Sequence, residues 1–174
     1  MYIYPPAVTS HLAARGGMLT HVLVWITGKT RDATPVPASI GFWTGDDHQD
    51  ITVAGATRTY FGAGSMINMD AITARAGLEV REISIQLSPL APEVVQAIRI
   101  YEPRLASIEI HEWFIDPDSG NALAAPIRIF KGVLTGAPIT TPPEGGEAMC
   151  EVKAVSAAWS LTKGLTLKRS NQAL

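Results

Sequence analysis

Short runs of β-branched and aromatic residues, separated by clusters of Gly, Pro, Asp and Asn, divide this sequence from end to end. The clearest run covers residues 78–87, where apolar and polar side chains alternate as they do along a half-buried strand. The alternation slips by one position between Arg81 and Glu82, which predicts a β-bulge there. Many short strands at close spacing are typical of a barrel or a sandwich.

The other strands are placed by apolar pattern and turn chemistry. The run 21–27 is apolar on both faces, which predicts a central strand that is covered on both sides. Gly55 lies in a four-residue loop between two β-prone runs, and this spacing predicts a hairpin. The turn cluster 116–121 separates two further strands. The complete set of predicted strands is 21–27, 39–44, 51–53, 58–61, 78–87, 105–115, 127–134 and 147–157.

Two short helices accompany these strands. A proline pair precedes the helix formers of residues 7–15, and Val8, Leu12 and Met18 are the expected apolar contacts of this helix. A second helix is predicted within residues 88–100. Because strands and helices do not alternate as in βαβ units, we predict a mainly β fold, a barrel or sandwich with one or two flanking helices. Residues 1–174 are expected to form a single domain.

Formal charge is scarce in this chain. Lys and Arg number 14 and Asp and Glu 16, so 17% of the residues are charged, against about 25% in an ordinary soluble domain. The net charge of −2 argues against nucleic acid as the main partner, and the hydrophobic content of 47% argues against disorder. Low charge is compatible with a surface shared between neighbouring molecules.

The sequence also indicates in which cellular compartment the chain folds. One cysteine, Cys150, lies in an apolar stretch and is expected to be a buried, inert thiol in a reducing cytoplasm. The longest aliphatic and aromatic run, 22–26, is far shorter than the ~20 residues that span a bilayer, and the N-terminal residues do not resemble an export signal. We therefore expect no membrane insertion by the chain itself.

Local patterns that bind phosphate, metal or substrate are incomplete. Residues 28–30 resemble the end of a phosphate-binding loop, but the earlier glycine and the following helix are missing. Asp116, Asp118 and Asn121 lack the glutamate of a calcium loop, which favours a turn that caps its own backbone. The polar cluster 46–50 favours a solvated loop. The four histidines fall in four separate elements, so no cofactor, metal or catalytic residue is predicted and the chain is not expected to be an enzyme.

Trp113 has an unusual neighbourhood in its predicted strand. Ile108 and Ile110 point to one face, whereas Trp113 shares the opposite face with Glu109 and His111. A tryptophan on a polar strand face lies either under a loop or in a subunit contact. Both interpretations stay open from the sequence.

A series of motifs in a fixed order resembles the tail-tip (baseplate) hub proteins of long-tailed phages and the related gene transfer agents. The central match is an Arg-x-Tyr-x-x-Arg stretch formed by Arg99, Tyr101 and Arg104, followed by a strand that contains Glu and His. A short acidic turn and a Phe-x-Gly strand come next. The matching segments are 12–14, 25, 42–45, 60–65, 77–81, 99–111, 116–120, 130–132 and 142–147.

This resemblance implies a fold like that of tail-tube proteins and a structural role. The protein would form a ring, either trimeric or hexameric, that joins the tail tube to the hub and receptor-binding parts and surrounds the channel for the tape-measure protein and DNA. Its location would be the virion tail tip, after synthesis in the bacterial host cytoplasm. The expected subunit-interface residues are Arg99, Tyr101, Arg104, Trp113, Lys168 and Arg169. The chain lacks the tail with Gly-Asp and aromatic residues that follows an Arg-Ser-x-x-Gln stretch in this family, so contacts of that arm are not carried over.

Two other functions fit the sequence less closely. A cell-wall hydrolase of the virion would need a Cys–His or metal constellation, for which Cys150 and His111 are the candidates. A carbohydrate-binding tip module would use Trp43, Tyr60 and Trp113 as stacking platforms.

Overall fold

A computed structural model describes residues 4–62, 64, 66–72, 80–88, 91–95, 101–136, 139–140 and 149–162. The fold is mainly β with short helices, as the strand spacing predicts. Helix α1 spans Pro6–Ala13 and α2 spans Trp159–Thr162, and residues 92–95 form a further helical turn. The strands are β1 (Leu19–Thr30), β2 (Pro37–Trp43), β3 (Gln49–Val53), β4 (Ala56–Phe61), β5 (Met66–Met69), β6 (Glu82–Leu87), β7 (Tyr101–Ile115), β8 (Ile127–Gly136), β9 (Ile139–Thr140) and β10 (Met149–Ser156).

All ten strands belong to one sheet. Their order is β3-β4-β2-β1-β7-β8-β10-β6-β5, and β9 pairs with β10 beside this path. Neighbouring strands are antiparallel except β2 and β4, which run parallel over a short ladder. Within the described part of the chain, β3 and β5 form the two ends of the path.

The main hydrophobic core joins the two halves of the sheet. Val24 of β1, Ile108 of β7 and Phe130 of β8 pack in one cluster with Ile85 of β6 and Val152 of β10. Strands that are distant in the sheet order therefore face one another across this core. Since β1 and β2 contribute to the same cluster as β5 and β6, the sheet must curve round the core.

A second, smaller core lies on the opposite face of β1 and β2. Leu23 and Trp43 pack there against Ile51, Val53 and Tyr60 of the β3–β4 hairpin. The residues next to them in sequence, Val24 and Phe42, belong to the main core, so β1 and β2 are apolar on both faces. This arrangement confirms the prediction that residues 21–27 form a central strand covered on both sides.

The hairpin packs closely against β2 because Gly41 of that strand has no side chain. A Cβ atom at Gly41 would lie 2.8 Å from the carbonyl oxygen of Thr59 and 2.8 Å from ring carbons of Trp25 and Tyr60. Such separations are too short for any side chain. Gly41 is therefore a condition for the close packing of the hairpin.

The hairpin loop is shorter than the sequence predicts. Only Ala54 and Gly55 separate β3 from β4, because both residues adopt positive φ angles, of 50° and 81°. This two-residue geometry matches the right-handed twist of the strands, and glycine is well suited to its second position. The predicted four-residue loop at 54–57 is wrong by two residues.

The predicted bulge between Arg81 and Glu82 is also wrong. Strand β6 begins at Glu82 and pairs with β10 without a register shift up to Leu87. The break in alternation coincides with the start of the strand, since Arg81 precedes it and its backbone contacts Ser156. Residues 73–79, part of the predicted strand, lie outside the described residues.

The N-terminal helix is present but uses fewer apolar contacts than predicted. Val8 is fully buried, whereas Leu12 is 44% exposed and Met18 is half-buried. Pro6 occupies the first turn, as the proline pair predicts. The prediction that Leu12 is an apolar contact of this helix is therefore wrong. None of the helices in the described residues is long and apolar enough to cross a membrane.

Candidate interaction surface

One face of β7 carries an unusual mixture of charged and aromatic side chains. Glu109, His111 and Trp113 follow one another at alternate positions and lie opposite Trp25, Leu23 and His21 of β1. Ile108 and Ile110 point into the main core on the other face. The predicted division of this strand into two faces is confirmed.

Arg58 of β4 lies over this face and contacts it in two ways. Its Nη1 atom donates a hydrogen bond to Oε2 of Glu109 at 3.2 Å, and both side chains are only 19% exposed. Its Cζ atom also lies 5.0 Å from the centre of the Trp25 ring, a cation–π geometry. Arg58 therefore attaches the hairpin to both β1 and β7.

Glu109 is surrounded by more positive than negative charge. Besides Arg58, Nη1 of Arg128 lies 3.4 Å and Nζ of Lys131 lies 3.6 Å from Oε1 of Glu109. Partial burial on its own raises the pKa of Glu109, but Arg58, followed by His111 and Lys131, outweighs this effect and holds the pKa below its usual value. Glu109 is consequently ionised at neutral pH.

Two buried polar atoms lie near this cluster without a hydrogen-bond partner among the described residues. They are the hydroxyl oxygen of Tyr60 and Nδ1 of His111. Burial raises the pKa of Tyr60, an effect that Arg58 opposes. Burial lowers the pKa of His111 to about 4; Glu109 opposes this shift, and the charges of Arg58 and Arg128 add to it. At neutral pH His111 is a neutral imidazole.

Trp113 borders an open cleft of about 460 Å³. One wall is β3, from Gln49 to Thr52, and the other is the segment that follows the acidic turn, with Ala122 and Pro126. Trp113 is half-buried, and its ring centre lies 6.0 Å from that of Trp43. Trp113 packs against the smaller core and lines this cleft together with the segment after the acidic turn, so the choice between a loop cover and a subunit contact stays a prediction.

The cleft lies beside an open edge of the sheet. Strand β3 pairs with β4 only, and β5 pairs with β6 only, among the described residues. In the two-residue hairpin, Val53 and Ala56 face each other next to the turn and share hydrogen bonds, so Thr52 is in a non-hydrogen-bonded pair. The N–H group of Thr52 therefore points away from β4, toward the open edge.

Of the predicted interface residues, the structure describes Tyr101, Arg104 and Trp113, and Trp113 lies well along β7 from the other two. Tyr101 begins β7 opposite Thr30, and Trp113 lies near the other end of the same strand. Arg104 is exposed, and its backbone N–H donates to Oε1 of Glu102 at 3.1 Å. Arg99, Lys168 and Arg169 lie outside the described residues.

Other candidate sites from the sequence have structural roles. Residues 28–30 are the end of β1 and pair with β2 or β7, so the strand extends further than predicted. Asp116 accepts hydrogen bonds from the backbone N–H of Asp118 and the hydroxyl of Ser119, which confirms the turn. No group of three or more potential metal ligands is found among the described residues. Cys150 is buried as predicted, and burial raises its pKa.

The aromatic side chains proposed as carbohydrate platforms are largely inaccessible. Tyr60 is fully buried and Trp43 is 6% exposed, because both belong to the smaller core. Trp113 lines the cleft beside β3.

Sequence patterns did not reveal the Arg58–Glu109 pair. The two residues are 51 positions apart and come from strands that are not neighbours in the sheet. In the sequence, Arg58 is an arginine within a β-prone run, and Glu109 shares one strand face with His111. Neither pattern shows that the two side chains contact each other.

No protein-family model matches the chain, and no curated protein matches it significantly. The resemblance to the tail-tip hub proteins rests on the order of motifs in the sequence, and the function that it implies is a proposal.

Proposed function

We propose that this chain is a structural protein of a phage or phage-like tail tip. Copies of it form a trimeric or hexameric ring that joins the tail tube to the hub and receptor-binding parts, around the channel for the tape-measure protein and DNA. The observation that carries this proposal is the topology of the sheet, whose path through the described residues ends in β3 and β5. Backbone groups along an open strand edge are a template for pairing with another chain.

The surroundings of β3 support an edge contact. The N–H group of Thr52 points outward, and the cleft beside the strand has Trp113 on its border. A strand added at this edge would place alternate side chains toward the cleft. Tryptophan is enriched among residues that dominate binding energy at interfaces.

The Phe-x-Gly motif of the resemblance has a structural explanation in this fold. Phe130 is buried in the main core. A Cβ atom at Gly132 would overlap the carbonyl oxygen of Val155 in the neighbouring β10. The motif is therefore suited to fixing β8 against β10, which supports a scaffold function for the matching segment.

The test is the mass of the full chain in solution, measured by multi-angle light scattering at μM concentration. We expect the mass of a trimer or hexamer. Thr52→Pro, which removes the outward N–H group, is expected to shift the chain toward monomer, since proline is tolerated where an edge strand faces solvent. Thr52→Ala keeps the N–H group and is the matched control, with circular dichroism to show that both variants fold.

A strict monomer in solution that is also missing from purified particles contradicts the proposal. The two alternative functions lack a comparable observation among the described residues. Cys150 is fully buried away from solvent, and two of the three proposed carbohydrate platforms lie in a core.

A further inference from the structure

His111 is buried, and its surroundings disfavour a charged imidazole. Only 4% of its surface is exposed, and its Nδ1 atom has no hydrogen-bond partner among the described residues. It lies on the face of β7 that the β3–β4 hairpin covers, opposite Leu23 of the smaller core. A proton added here would create a buried positive charge without a hydrogen-bond acceptor at that nitrogen.

The charges around His111 come from three strands. Glu109 on β7 is negative, whereas Arg58 on β4 and Arg128 and Lys131 on β8 are positive and contact that single carboxylate. His21 on β1 and Glu112 on β7 lie near the same part of the sheet, and burial raises the pKa of Glu112. Among the described residues, the titratable groups on the strands around His111 include Arg58, Tyr60, Glu109, Arg128, Lys131, His21 and Glu112.

Arg58 links this charge cluster to the hairpin. Its bond to Glu109 and its position over Trp25 are contacts between the hairpin and the sheet. Protonation of His111 adds a fourth positive group around Glu109, so the carboxylate is shared with a further cation. Separation of the hairpin from the sheet lets water reach the imidazolium and removes Arg58 from its vicinity.

We propose that His111 makes the docking of the β3–β4 hairpin acid-sensitive. At neutral pH the neutral imidazole is compatible with the closed arrangement, in which the hairpin covers Leu23 and Trp43. Acidification favours an open arrangement in which the hairpin leaves the sheet and the aromatic residues of the smaller core become accessible. This conformational switch is independent of the tail-tip function.

The sign of the effect follows from the pKa of His111, which is about 4 in the closed state against 6.5 in its ordinary state. Between these two values the open state binds more protons, so falling pH shifts the equilibrium toward it. The ratio of open to closed molecules is expected to rise about 30-fold between pH 8 and pH 5. Well above pH 6.5, the ratio of open to closed molecules does not depend on the protonation of His111.

Hydrogen exchange on the full chain measures this ratio. Protection factors, which divide out the intrinsic effect of pH on amide exchange, are compared for residues 49–61 and 149–156 at pH 8 and pH 5. In the wild type, protection of 49–61 is expected to fall about 30-fold and to stay below that of 149–156 in the main core at both pH values, because the hairpin opens while the core stays folded. In His111→Gln this fall is expected to disappear.

His11→Gln is the matched control, because His11 lies in helix α1 and its ring contacts the carbonyl oxygen of Gly17, away from the hairpin. It is expected to keep the pH dependence of the wild type. The same fall in His111→Gln and wild type, or protection of 49–61 equal to that of 149–156 at pH 5, overturns the proposal. If His111→Gln does not fold, NMR titration of the wild-type ring decides: a midpoint near 4 supports the proposal and one near 6.5 overturns it.

Discussion

The guanidinium group of Arg58 contacts the Glu109 carboxylate at 3.2 Å and lies 5.0 Å above the centre of the Trp25 ring. One side chain thereby connects the β3–β4 hairpin with two central strands of the sheet. Because both charged groups are largely shielded from water, their attraction is screened less than that of an exposed pair. This contact fixes the hairpin whose outer strand, β3, is one end of the sheet in the described part of the chain.

A double-mutant cycle with Arg58→Met and Glu109→Gln measures this attraction. We expect a coupling energy of about 1–2 kcal/mol in chemical denaturation, between the values typical of exposed and fully buried pairs. The control cycle uses Arg31 and Glu102, which are about half-exposed and 3.8 Å apart, and is expected to give less than about 0.5 kcal/mol. Equal coupling in the two cycles contradicts a special role for Arg58.

Gly132→Ala tests the close approach of β8 and β10. An added methyl group overlaps the carbonyl oxygen of Val155, and backbone must move to relieve it. The free energy of unfolding is expected to fall by about 2–4 kcal/mol. Gly17→Ala is the control: its methyl group meets the ring of Pro117 at 3.1 Å, and the expected loss is below about 1 kcal/mol. Equal stability of Gly132→Ala and the wild type refutes this packing.

Two substitutions in α1 distinguish its buried and exposed faces. Val8→Ala is expected to lower the free energy of unfolding by about 2 kcal/mol, because Val8 is fully buried. Leu12→Ala is expected to change it by less than about 0.5 kcal/mol, because Leu12 is 44% exposed. Thermal or denaturant unfolding compares them, and a larger loss for Leu12→Ala would show that the helix packs through its other face.

Thiol labelling tests the burial of Cys150. The thiolate is the reactive form, and burial both shields the sulfur and raises its pKa. A thiol reagent at pH 8 is expected to label the native chain at least ~100-fold more slowly than the urea-unfolded chain. Rapid labelling of the native chain would place Cys150 at the surface and reopen the hydrolase alternative.

Elements with a strong local pattern could be predicted from the sequence. Strand β7 follows from the alternation of Ile108 and Ile110 with Glu109 and His111, and β1 from an apolar run without polar positions. The acidic turn followed from residues that bond to their own backbone. In these cases neighbours along the chain determine the structure.

Features that depend on the packing of distant segments could not be predicted. Glu109 and Trp113 share the polar face of β7, and no local pattern states that the hairpin covers part of that face. For the same reason the sequence does not reveal that Tyr60, a candidate stacking platform, is buried. The predicted bulge at Arg81 and Glu82 is wrong because a bulge and the start of a strand produce the same break in the alternation of apolar and polar residues.

Cryo-electron microscopy of phage or phage-like particles that carry this chain tests its proposed function most directly. The proposal predicts density for three or six copies of this mainly β fold in a ring at the distal end of the tail tube. Neighbouring copies are expected to meet at the edge strand β3, with Trp113 in or beside the contact. A complete tail tip in which no density fits this chain would contradict the proposal.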